Sequence, residues 1–144
     1  MKTIRQISVF VENKPGRLSA ITQILKDNAI DIRALSIADT KDFGILRIIA
    51  DDPDKACKML RQAACTVTLT EVVAICIDDV KGRLSDVMSV INDSGINVEY
   101  LYAFLSKSDN KASIILRVDD NEKANAAFDA AGIAQLSEDD IKAM

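Results

Sequence analysis

A chain of 144 residues, 49% hydrophobic and 28% charged, has room for one ordinary domain or two small ones and is too apolar to be disordered. No apolar run approaches the roughly 20 residues of a membrane-spanning helix, and Met1-Lys2-Thr3-Ile4 lacks the apolar stretch of a signal peptide, so a soluble, cytoplasmic chain is expected. The net charge of −4 and the lack of histidine weigh against a nucleic-acid or membrane partner and against most hydrolytic or transition-metal chemistry.

Ile4 to Val11 alternates as a strand. Gly16 precedes a helix whose apolar stripe, Leu18, Ile21, Ile24 and Leu25, recurs at helical spacing. A second strand is expected from about Ile30 to Ala38, a turn at Thr40-Lys41-Asp42, and a third strand from Phe43 to Ala50. Asp52 before Pro53 starts a helix with a capping carboxylate and a proline where the missing N–H is harmless. Ala56, Leu60 and Ala63 make that helix's inner face, and Thr66 to Leu69 closes the unit as a fourth strand.

The series then repeats. Pro15-Gly16-Arg17-Leu18-Ser19 aligns with Lys81-Gly82-Arg83-Leu84-Ser85, Asp27 to Ile32 with Asp93 to Val98, and Asp51 to Ala56 with Asp119 to Ala124. After a longer turn in the second copy, Leu46-Arg47-Ile48 aligns with Leu116-Arg117-Val118. The second copy reads as a strand Val72 to Ile77, a helix lined by Leu84, Val87, Val90 and Ile91, strands near 96–105 and 112–118, and a helix near 124–131. Its end reads either as a strand, Ile133 to Leu136, or as a capping box at Ser137-Glu138-Asp139-Asp140.

Two βαββαβ units imply an α+β fold of two ferredoxin-like domains, 1–70 and 71–144, each an antiparallel sheet with both helices on one face. Cys57, Cys65 and Cys76 are odd in number, form no CxxC pair and lie in apolar pattern, so they read as core thiols. No cofactor or metal site is expected. Arg47 and Arg117 alternate with Ile45, Ile49 and Ile115 on the face away from the helices, which reads as a covered face and suggests a homodimer or a partner enzyme there. Tyr100, Tyr102 and Phe104 stand where the first copy has Ala34, Ser36 and Ala38, and read either as packing or as a pocket wall.

A glycine at the mouth of a helix lets backbone N–H groups approach a ligand, and the first turn offers unpaired donors and partial positive charge to a carboxylate. Asn13 carries both a donor and an acceptor and so can hold either end of a zwitterion.

Glu12-Asn13-Lys14-Pro15-Gly16-Arg17-Leu18, between a first strand and a first helix, resembles the loop of ACT domains, and Gly95-Ile96-Asn97-Val98 resembles the family's approach to the second strand. The resemblance covers both copies and is closest to free-standing proteins of two such domains with no enzyme attached. It implies a non-catalytic regulatory protein that binds a free amino acid where two domains meet, their second strands pairing into one eight-stranded sheet. In the regulatory domain of phosphoglycerate dehydrogenase the residue matching Asn13 contacts the amino acid, and a second asparagine, matching Asn97, comes from the neighbouring domain. The implied site is therefore Asn13, Pro15, Gly16, Arg17 and Leu18 with Asn97, and its mirror is Asp79, Gly82, Arg83 and Leu84 with Asp31. The mirror places acids where the first has asparagines, so unequal affinities are expected.

An RNA-binding module would need stacking aromatics and a basic surface, and an acylphosphatase an arginine-bearing phosphate loop; this chain has neither pattern. A structural adaptor built from the same repeat remains the alternative.

Overall fold

β1 (Ile4–Glu12) buries Ile7, Val9 and Val11, alternate residues on the side of the helices, as a strand over a core does. There follow α1 (Arg17–Asp27), β2 (Ile32–Asp39), β3 (Phe43–Ala50), α2 (Pro53–Gln62), β4 (Val67–Asp78) and α3 (Arg83–Asp93). β5 (Val98–Ala103), β6 (Lys111–Val118), α4 (Asn121–Ala130), the two-residue β7 (Ala134–Gln135) and α5 (Glu138–Ala143) complete the chain. This computed structural model describes residues 1–39, 42–106 and 109–144, so the turn expected at Thr40 and Lys41 lies outside the described residues.

The chain divides into two compact units, the first comprising Arg5–Thr70 with Ile141–Met144, the second Met1–Ile4 with Glu71–Asp140. The four residues at each terminus thus belong with the copy distant in sequence, where the sequence reading keeps them with the copy they adjoin. A further difference concerns the join. Thr66–Leu69 and Val72–Ile77, read as two strands, are one strand of 12 residues, β4, because Thr70 and Glu71 carry no turn residue to break it.

In the first unit the strand order is β2-β3-β1, with the start of β4 beside β1, where the Phe10 N–H donates to the Thr66 carbonyl at 3.1 Å. In the second it is β5-β6-β4, with β7 on the other side of β4. Both have one register. Ile7 opposes Ile48 and Leu35 opposes Ile48; Val73 opposes Leu116 and Leu101 opposes Leu116. Ile48 therefore corresponds to Leu116, not Val118, and Arg47 corresponds to Ile115. The sequence alignment of Leu46-Arg47-Ile48 with Leu116-Arg117-Val118 is two residues out of phase, a slip that period-two patterns permit because it leaves every residue on its own face.

Each unit has its own core between helices and sheet, with Ile21, Leu25, Ala56 and Leu60 inside the first and Val87, Ile91, Ala124 and Phe128 inside the second. Leu18 and Leu84, expected in these cores, are 41% and 42% exposed and sit in the first turn of their helices. Ala63 is exposed as well, since α2 ends at Gln62. Asp52 and Asp120 cap α2 and α4, accepting from the N–H groups of Lys55 and Lys123 at 3.0 and 3.1 Å. Both readings of the C-terminus hold: β7 pairs with β4, and Ser137 and Asp140 exchange capping hydrogen bonds at the start of α5. Cys57 is buried, which pushes its thiol up, and Cys65 and Cys76 are half-buried.

Candidate functional site

The turn from β1 into α1 is set by its backbone. Asn13 N–H donates to the Asp42 carbonyl at 3.2 Å and Lys14 N–H to the Glu12 carbonyl at 2.8 Å. Gly16 then takes φ +86°, and a Cβ there would meet nothing within 4 Å, so glycine is needed for its conformation rather than for space. No side chain caps α1.

Beside this turn lies a hollow of about 160 Å³. Asn13, Arg17 and Leu18 line it, so three of the expected residues come together there, with Glu12, Lys14 and Ile37 around them and Gly44 at its floor. Pro15 and Gly16 shape the turn without lining the hollow. Lys14 lies 3.0 Å and Arg17 4.0 Å from the Glu12 carboxylate. The Lys14 hydrogen bond, then the charges of Lys14 and Arg17, hold that carboxyl below its usual range.

The second unit repeats the turn with different chemistry. Asp79 N–H donates to the Asn110 carbonyl at 2.7 Å, and Gly82 takes φ +84°. Val80 stands in place of Lys14. Asp78, the counterpart of Glu12, pairs with Lys111, and Arg83 pairs with Asp86 at 3.7 Å within α3. Asn97 is exposed just before β5, its N–H held by the Asp119 carboxylate at 3.0 Å. Asp31 in the first unit is held the same way by Asp51 at 2.9 Å, and its own carboxylate pairs with Arg33. The charge that sequence reading assigns to Asp31 is thus partly neutralised.

Glu12 and Lys14 belong to the loop motif without being among the expected ligand residues, and Ile37 and Gly44 lie outside every motif that marks the site in the sequence. The signal available was Gly44, a lone glycine within a strand pattern, which marks a place where another group can approach the backbone closely. Tyr100 and Tyr102 stack with centroids 6.4 Å apart, and Tyr102 and Phe104 are buried, as packing residues are. Ile49 and Ile115 are buried. Among the described residues no group of His, Cys, Asp and Glu could hold a metal, and no helix is long and apolar enough to cross a membrane.

Comparison with known proteins identifies the family and the fold. The family profile described as an ACT domain pair matches residues 2–144. Protein BT0572 from Bacteroides thetaiotaomicron is 34% identical, with a TM-score of 0.92 over 99% of this chain and 97% of its own. The ligand-free regulatory subunit of aspartate kinase from Thermus thermophilus shares the fold at 16% identity, TM-score 0.67, over 92% of each chain. That from Thermus flavus does so at 17% identity, TM-score 0.61, also over 92% of each. No curated protein matches. With the family profile spanning both units, the chain belongs to the ACT domain pair family.

Proposed function

We propose that this chain is a non-catalytic regulatory protein that binds a free amino acid at the turn before α1. The observation that carries the reading is the convergence of Asn13, Arg17 and Leu18 on one hollow beside the Gly16 turn, in a chain of the ACT domain pair family. Asn13 would hold the zwitterion through its amide, with Gly16 keeping the backbone open for the carboxylate. Pro15 fixes the turn. Asn97 belongs to the proposal as the asparagine supplied by the second copy, and the mirror set of Asp79, Gly82, Arg83, Leu84 and Asp31 as a weaker second site. The regulatory role of the aspartate kinase subunits with this fold is in keeping with such a part, as is self-association into a homodimer.

The test is a thermal-shift screen of the free amino acids followed by calorimetry. At a hundredfold excess over Kd, a bound amino acid adds about 2.7 kcal/mol of stability and raises Tm by several degrees. Asn13→Ala abolishes the dominant site, and Asn97→Ala weakens it if both copies contribute. Asp31→Asn with Asp79→Asn strengthens the second site. If no common amino acid at millimolar concentration moves Tm, a purely structural adaptor is the better reading.

A further inference from the structure

Resting on the amino-acid reading above, we propose that the ligand of the first unit's hollow carries a branched aliphatic side chain, as in valine, leucine or isoleucine. Two large aliphatic side chains from different elements, Leu18 of α1 and Ile37 of β2, are 41% and 54% exposed and border one hollow. Singly exposed leucines are ordinary, but here two converge on the same small space with Val11 beside them. The hollow, about 160 Å³ and open to solvent on one side, has room for one compact side chain.

The floor of the hollow is open by sequence and not by backbone need. Gly44 has no left-handed φ, and a Cβ placed on it would meet Ile37 Cδ1 and Cγ1 at 3.5 Å, an ordinary contact. An alanine would fit there, and in the second unit Ala112 occupies the equivalent position, opposite Ile77 as Gly44 is opposite Val11. The counterpart of Ile37 there is Ala103. The first unit alone therefore combines a missing methyl on the floor with a large aliphatic wall. At the rim Lys14 and Arg17 both approach the one carboxylate of Glu12, which leaves a positive charge in excess and disfavours a cationic ligand side chain there.

Calorimetry on the intact chain with leucine, isoleucine, valine, aspartate, lysine and threonine tests this. The three aliphatic amino acids are expected to bind at least about tenfold more tightly than the others, a discrimination typical of an apolar pocket. Gly44→Ala lowers affinity for leucine by about tenfold and for the smaller valine by less, and Ile37→Ser weakens all three by about tenfold. Leu18→Ser provides the same reading should Ile37→Ser unfold. Aspartate, lysine or threonine binding as tightly as leucine overturns the aliphatic assignment and leaves amino-acid binding standing. Leucine affinity unchanged in both Gly44→Ala and Ile37→Ser overturns the assignment by placing the ligand elsewhere, and absence of binding by any amino acid removes the amino-acid reading and this assignment together.

Discussion

The two copies share the registers of their β1–β3 and β2–β3 pairings, matched by β4–β6 and β5–β6, and both helix starts, and they differ in where each is polar. In the first unit the inner face of α2 carries Cys57, and Val67 lies at the equivalent of β7; both are buried. In the second those positions hold Asn125 and Gln135, buried as well and joined in a network: Asn125 Oδ1 accepts from the Lys2 N–H at 3.1 Å, and Gln135 Nε2 donates to the Asn125 carbonyl at 3.3 Å and to Asp129 at 2.7 Å. Near the first turn the contrast runs the other way at one position, with Lys14 in the first unit where the second has Val80. A repeated fold thus leaves each copy free to place its polar groups where its own task requires, provided the apolar residues that set the register are kept.

The core comparison gives the largest expected effect. Leu60 and Phe128 occupy equivalent, fully buried positions in the two cores. Phe128→Ala is expected to destabilise by about 3–5 kcal/mol and Leu60→Ala by about 2–5 kcal/mol. Urea unfolding followed by tyrosine fluorescence, which reports Tyr100 and Tyr102 of the second unit, and by circular dichroism separates the cases. Coincident transitions in both variants would show one cooperative molecule, and divergent ones would show copies that unfold independently.

The buried polar network sharpens the comparison at intermediate size. Asn125→Ala leaves the Lys2 N–H without its acceptor and is expected to lose about 1–3 kcal/mol. Cys57→Ala, at the matching place, removes one buried group and is expected to lose about 0.5–1.5 kcal/mol. Equal losses would mean that the network contributes only volume. Gln135 is 8% exposed and its Oε1 has no hydrogen-bond partner among the described residues, so the network is incompletely satisfied within them.

A smaller effect of opposite sign in the two copies comes from the ends of the helices. After α1 and α2 the chain turns through left-handed conformations at Ala29 (φ 55°) and Ala64 (φ 64°); after α3 and α4 the same turns are made by Gly95 (φ 70°) and Gly132 (φ 69°). Glycine adopts this region without the penalty a Cβ brings. Ala29→Gly and Ala64→Gly are each expected to stabilise by about 0.5–1 kcal/mol, and Gly95→Ala and Gly132→Ala to destabilise by a similar amount. Chemical denaturation of the four variants checks both signs.

Most of the architecture was legible because it is carried by periodicity and caps. β3 was read to its observed ends, and Asp52 before Pro53 placed the start of α2. What was not legible depends on distance in space. Leu18 and Leu84 fit the helical stripe, yet both are exposed in the first turn of their helices, which periodicity alone does not show. The join at Thr70 and Glu71 looked like two strands since two copies suggested two boundaries. At the candidate site, the turn residues Asn13, Gly16, Arg17 and Leu18 announced themselves by motif, whereas Ile37 and Gly44 reach the hollow through strand pairing that a single sequence does not display.

β4 has a consequence for how this chain can change. Its 12 residues serve the first unit up to Thr70 and the second from Glu71, with no linker between them. Side chains alternate along it, so one residue inserted or deleted at that join would turn Val73, Ile75 and Ile77 from the core to the opposite face. Only changes by an even number of residues keep the phase. The join between the copies is in this sense frozen in length while the hairpins tolerate change, as the hairpin before β6, two residues longer than its counterpart, already illustrates.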